Sequence, residues 1–275
     1  MRISQITSYL ESIAPLALQE EYDNSGLLIG NEENEVSGVL ITLDCTEEIL
    51  EEAIRKNCNL IIAHHPIIFK GLKKIIGRNH VERVVEKAIQ KNIVIYAIHT
   101  NLDNISNGVN KMICDKLGLS NCKFLLPSSA GEGKGIGSGS GMIGTLQTSF
   151  AEIAFLKKIK KVFKAKSLRH TKLLDKKISK VAVCGGSGSF LLEDAIRQKA
   201  EVFLTADFKY HQFFDAENKI VIADIGHYES EQFTKELLHS ALMKKFSIFA
   251  PRFMKEGNYI PLLVSAVNTN PINYL

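Results

Sequence analysis

Tryptophan is absent from the 275 residues and cysteine is sparse: Cys45, Cys58, Cys114, Cys122 and Cys184 form no C-x-x-C pair. An odd, scattered set of thiols excludes a disulfide framework and a cysteine-rich zinc site, and reads as reduced core cysteine. Long apolar runs are also missing. Charges or glycines interrupt every candidate before the ~18–20 residues a membrane helix needs, so no membrane association is expected. At the amino end Ile3, Ile6, Leu10 and Ile13 share one helical face, and Glu11 breaks what a signal peptide needs as an unbroken apolar run. That segment reads as a first helix, and the expected location is cytoplasmic. Composition is 45% hydrophobic and 23% charged, with mean hydropathy near zero, which excludes disordered and fibrous classes.

The net charge of +4 is unevenly spread. Residues 157–180 hold eleven Lys/Arg and one acid, Asp175, leaving 23 bases against 29 acids elsewhere. A stripe of this kind suits polyphosphate or nucleic acid. However, Ile153, Leu156, Ile159 or Lys160, and Phe163 recur at helical spacing, which makes the lysines the solvated back of an amphipathic helix.

Short β-branched runs alternate with helical patterns, which predicts an α/β fold with largely parallel sheets. Strands are expected around Leu40 and at 60–63, 93–98, 180–184, 202–205 and 220–225. Helices are expected from Thr46, His80 and Ser189. Residues 128–141, SSAGEGKGIGSGSG, have loop composition and separate two similar blocks. The expected organisation is therefore an amino-terminal α/β half over 1–127, a glycine-rich linker or flap over 128–141, and a carboxy-terminal α/β half over 142–275. Gly139, Gly141 and Gly144 match G-x-G-x-x-G, but the adjoining MIGTLQ reads as a strand, not the helix a pyrophosphate site requires. Gly185-Gly186-Ser187-Gly188-Ser189 sits between a strand and a helix, either as an anion-receiving turn or simply as a tight one.

Metal-ligand residue types recur at the carboxyl ends of predicted strands, where open α/β sheets place their sites. Strand 60–63 runs into His64, His65 and Pro66, and adjacent imidazoles point different ways, suiting two neighbouring ions. Strand 93–98 ends in His99, with Asp103 four residues on. Strand 220–225 leads through Gly226 to His227, with Glu231 one helical turn later on the same face. Together His64, His65, Asp103, His227 and Glu231 form a mixed nitrogen and oxygen set large enough for two divalent ions, with Glu231 able to bridge. Zinc, manganese, iron and cobalt all suit such ligands.

The segments EYDNSGLLIG at 21–30, LDCTEEILEEAIRKNCNLIIAHHPIIFKGLKKI at 43–75, AIHTNLDN at 97–104, VAVCGGSGS at 181–189, TADFKYH at 205–211 and GHYESE at 226–231 resemble the GTP cyclohydrolase 1 type 2 family, also known as NGG-one-interacting-factor-like dinuclear-metal proteins. The similarity runs in order along almost the whole chain. It implies two packed α/β halves around a dinuclear site, in the compact form without an inserted middle domain, and a homo-oligomer of six subunits. It implies the same five ligands, with Glu231 bridging, and GTP ring opening with release of formate. Asp207, His211 and His99, together with Glu231, are the expected catalytic groups. At Ala206-Asp207 the chain departs from the Gly-Glu of many relatives. Lys70, Lys73, Lys74 and Arg78 suit a triphosphate or form a solvated loop. Two other classes use the same features: a metal-binding or metal-delivery hexamer without turnover, and a ring encircling nucleic acid through residues 157–180.

Overall fold

The structure is a computed structural model and describes residues 1–128, 137–246, 249 and 259–275. Over the described residues the chain is a mixed α/β protein with two sheets. By its internal contacts it divides into one unit of Met1–Leu102 with Thr234–Thr269 and another of Asp103–Phe233 with Asn270–Leu275. The expected junction at 128–141 therefore falls inside the second unit, and 129–136 lie outside the described residues.

The first unit holds a five-stranded sheet. β2 (Val39–Thr42), β3 (Leu60–Ala63), β4 (Val94–Ala97) and β11 (Leu262–Val264) are parallel, and β1 (Gly26–Ile29) closes one edge antiparallel to β4. Every residue of β2, β3 and β4 is buried, which explains why these strands are continuous β-branched and apolar runs instead of alternating ones. α1 (Ile3–Ile13), α2 (Glu47–Arg55), α3 (His80–Gln90) and α9 (Thr234–Lys245) accompany them. The Thr46 and Asn79 side chains cap α2 and α3, so each helix starts where its apolar period begins. In α1 the buried face is Ile3, Ile6, Thr7 and Leu10.

The second unit holds six strands in the order β5 (Leu119–Ser128), β6 (Ser138–Ala151), β8 (Lys177–Ser187), β9 (Val202–Ala206), β10 (Val221–Asp224) and β7 (Arg169–His170). Its centre, β8-β9-β10, is parallel; β5, β6 and β7 join antiparallel. Gly139 and Gly141 of the stretch read as loop sit in β6. A Cβ on Gly139 would overlap Phe124 and lie against the Leu126 carbonyl, so the β5–β6 hairpin closes only because that side chain is missing. α5 (Val109–Leu117), α6 (Glu152–Val162), α7 (Leu192–Arg197) and α8 (His227–Glu231) complete this unit, with Phe155, Phe163 and Phe203 fully buried.

α6 is the amphipathic helix anticipated in the basic stretch, and Lys157, Lys160 and Lys161 are exposed on it. Its buried face is Phe155, Leu156 and Ile159, while Ile153 is 45% exposed. The face turns because buried Glu152 accepts from the backbone N–H groups of Leu174 and Asp175, committing its side to the protein. Among the described residues no helix is long and apolar enough to cross a membrane.

Candidate metal centre

Parallel strands end side by side, so the residues just beyond one strand meet those beyond its neighbours. In the first unit β3 delivers His64 and His65, whose N–H groups still bond to Thr42 and Leu43, and Pro66 ends the ladder there. β4 delivers His99 beside them. Ligand nitrogens of His64, His65 and His99 lie within 4.8 Å of one another.

Each of these rings is fixed through Nδ1. In buried His64 it lies 2.8 Å from the Ile98 carbonyl oxygen, which makes it the donor. In His65 it is 2.7 Å from the Asp44 carboxylate, whose other oxygen accepts from Thr269 Oγ1. In His99 it is 2.7 Å from Asp23, whose side chain has no exposed surface. An acceptor at Nδ1 places the proton there and leaves the lone pair on Nε2, the arrangement usual for metal-binding histidines. Asp23 also accepts from the Thr100 N–H and hydroxyl and from Ser25 Oγ. Burial pushes its carboxyl up, but His99, Thr100 and Asn24 outweigh that and hold it well below the usual carboxylate range.

The second unit repeats the pattern. After β10, Gly226 adopts φ +95°, a region that favours glycine, and a Cβ there would collide with the Glu229 carboxylate. α8 then places His227 and Glu231 one turn apart, with Nε2 3.1 Å from the carboxylate. His227 Nδ1 is 2.6 Å from Asp207, which also accepts from Ser187 Oγ. Burial lowers the His227 pKa, yet Glu231 and Asp207 together raise it to about 11, so two carboxylates converge on this ring. Asp207 has φ +59°, a backbone cost that Asp bears better than most residues. Carboxylate oxygens of Asp103 and Glu231 lie within 4.8 Å of each other. Burial, then the charge of Asp103 and of Glu231, pushes the Cys184 thiol up.

The glycine turn at 185–189 serves this arrangement. A Cβ on Gly186 would overlap Glu231 Oε1, so the glycine admits the carboxylate against β8. The Gly185 and Gly186 N–H groups donate to Asn110 Oδ1 at 3.0 Å and Ser230 Oγ at 2.9 Å, so they are committed to side chains and not to an anion.

The donors of each unit fit a divalent transition ion: imidazoles held through Nδ1 in the first, an imidazole with hard carboxylate oxygens in the second. His211 is exposed on the short helix Tyr210–Ala216 with its ring against Tyr210 and Phe214. Lys70, Lys73, Lys74 and Arg78 are exposed on the connection after β3. Asp23 and Asp44, which hold two of the four histidines, carry no periodic signal. The EYDNSG segment that contains Asp23 marks it only through its resemblance.

A family model described as Duf34/NIF3 (NGG1p interacting factor 3) matches residues 1–257. A Clostridium acetobutylicum protein named GTP cyclohydrolase 1 type 2 homolog is 32% identical, covering 100% of this chain and 99% of the relative. A Staphylococcus epidermidis protein of the same name is 30% identical over 374 aligned positions, with full coverage of both, so it carries insertions this compact chain lacks. The crystal structure of the Staphylococcus aureus hypothetical protein SA1388 superposes with a TM-score of 0.88 at 33% identity, covering 100% of this chain and 99% of that one.

Proposed function

Because this chain belongs to the Duf34/NIF3 (NGG1p interacting factor 3) family, we propose that it is a metal-dependent hydrolase in which His64, His65, Asp103, His227 and Glu231 hold two divalent ions. The observation that carries this reading is the anchoring of every imidazole through Nδ1, to Ile98, Asp44, Asp23 and Asp207. Core histidines with a purely structural task have no reason to be held through the same ring nitrogen. Such ions, when bound, supply Lewis acidity and make a water acidic enough to ionise near neutral pH.

The protein's own groups do the rest. Asp44 and the Ile98 carbonyl orient His65 and His64, Asp207 orients His227, and Glu231 is the carboxylate that would hold both ions. His99 is not among the five ligands. Held by Asp23, it presents Nε2 as a base and takes up or returns the proton that a hydrolysis moves. Asp207 is thus a positioning residue, and His211 is given no part. The substrate proposed from the names of the relatives is GTP, with its guanine ring opened and formate released. The assembly proposed is a hexamer in the cytoplasm, read by light scattering of the purified protein.

The test is incubation of metal-loaded protein with GTP, beside an active cyclohydrolase as control. Formate and a ring-opened product are expected in wild type and lost in His99→Ala at unchanged metal content. Absence of both products from fully loaded wild type overturns the hydrolase and leaves a metal-carrying role for the same ligands.

A further inference from the structure

The basic segment 157–180 has a member that, though its side chain is 56% exposed, is held by fixed partners. Arg169, on edge strand β7, lines a cavity of about 330 Å³ together with Ser167, Asp207, His227 and Tyr274. We infer that this cavity is a binding subsite for a phosphate group of the substrate, with Arg169 as its principal recognition residue. The inference rests on the metal-centre reading for its meaning, since His227 and Asp207 form one wall, but not for its chemistry.

The guanidinium is already fixed. Its Nη2 donates to the Phe208 carbonyl at 3.0 Å and to the Asp224 carboxylate, and its plane lies over the Phe213 ring at 5.3 Å. Asp224 is itself buried, and it also accepts from the Phe208 N–H at 3.0 Å and the Gly226 N–H at 3.1 Å. It therefore serves as an anchor, and the Nε–H and Nη1–H donors of Arg169 remain for a ligand. A group ordered beforehand loses little freedom on binding, and guanidinium geometry matches phosphate.

Further donors converge on the same cavity. The Tyr274 hydroxyl lies 3.4 Å from where a Gly226 Cβ would stand. Burial, with Glu229 and Asp224 adding to it, raises its pKa, so it stays a protonated donor at neutral pH. Ser167 adds a second hydroxyl. The one other acid on the wall, Asp207, is occupied by His227 and Ser187. Exposed Lys166 and Lys172 flank β7 and add long-range attraction for an anion. Donors arriving from an edge strand, a loop and the chain terminus surround a tetrahedral oxyanion better than a flat carboxylate, which one guanidinium grips alone.

The test is calorimetric titration of inorganic phosphate into the full-length, chelator-treated protein at low ionic strength, with acetate as a second titrant. Expected are one saturable phosphate site per chain, weak or absent acetate binding, at least tenfold weaker phosphate binding in Arg169→Gln, and a several-fold loss in Tyr274→Phe. Arg169→Lys keeps the charge beside Asp224. It is expected to fold as wild type by circular dichroism and still to bind several-fold more weakly. The triple variant Lys157→Glu, Lys160→Glu, Lys161→Glu is expected to stay within twofold of wild type. Equal phosphate affinity in folded Arg169→Gln or Arg169→Lys, loss confined to the triple variant, or no saturable binding would overturn the proposal. Metal content, measured separately on the same preparations, reports on the metal reading alone: a wild type that binds phosphate but no metal fails that reading and not this one.

Discussion

Asp23→Asn removes one charge from a fully buried side chain and keeps its shape. The carboxylate accepts from His99 Nδ1 at 2.7 Å, Thr100 N at 3.1 Å, Ser25 Oγ at 3.0 Å and the Thr100 hydroxyl. Hydroxyls can rotate to suit an amide, but the Thr100 N–H and a protonated His99 Nδ1 cannot, so one of them faces the new NH₂. A buried donor left without its acceptor costs about 1–3 kcal/mol, towards the upper end where the lost acceptor was charged. The pH dependence has a definite sign. The folded-state pKa of Asp23 is depressed, so its stabilisation is complete above the unfolded value of about 3.9 and is lost as pH falls towards the folded value. Urea denaturation followed by circular dichroism should therefore show the variant about 2–3 kcal/mol less stable at pH 7. The gap should close by about 1 kcal/mol at pH 3. Metal content should stay at the wild-type level. A gap under about 1 kcal/mol at pH 7, or one that widens on acidification, would refute the reasoning.

Four further outcomes rest on the same geometry. Gly226→Ala forces a side chain into the left-handed region and onto the Glu229 carboxylate, so it should cost about 1–3 kcal/mol and lower metal content by displacing His227, read by thermal melting and elemental analysis. Phe203→Ala, in the core of the second unit, should cost about 3–5 kcal/mol in urea titration. Limited alkylation at pH 7.5 should mark Cys122 first by mass spectrometry, because a hydrogen bond with the Cys114 thiol and the charge of Lys111 bring it down to about 7. Burial, with Glu52 adding to it, lifts Cys58 to about 11, and burial with Asp44 lifts Cys45 to about 12, so both should stay unmodified. The triple lysine-to-glutamate change on α6 should leave the melting temperature within about 2 °C, since those side chains lie on the solvated face.

The strands that end in histidine were legible because parallel strands buried on both faces must be continuous apolar runs. LIIA at 60–63 coincides with β3, and IVIYAI and IVIADI contain β4 and β10. The expected strands around Leu40 and at 180–184 and 202–205 fall likewise within or across β2, β8 and β9, whereas others were hidden for separate reasons. β6 carries its glycines where Phe124, Leu126 and Leu191 press close, so its composition imitates a loop. β7 has two residues and β11 three, too few for any period. The helical face of α6 was misjudged at Ile153 because a buried acid, Glu152, directs that turn inward for its hydrogen bonds and not for apolar burial. Among the site residues, the histidines announce themselves by an apolar lead-in. Asp23 and Asp44 do not, since they reach His99 and His65 from 76 and 21 residues away along the chain. Such long-range pairing leaves no spacing to read.

Elemental analysis of purified wild type beside Glu231→Ala bears most directly on the claim that imidazoles and carboxylates here hold a pair of cations. The account predicts near two divalent ions per chain in wild type and one or none in the variant, with folding intact by circular dichroism. A wild type that takes up no divalent ion after loading, or a folded Glu231→Ala that still holds two, would contradict it.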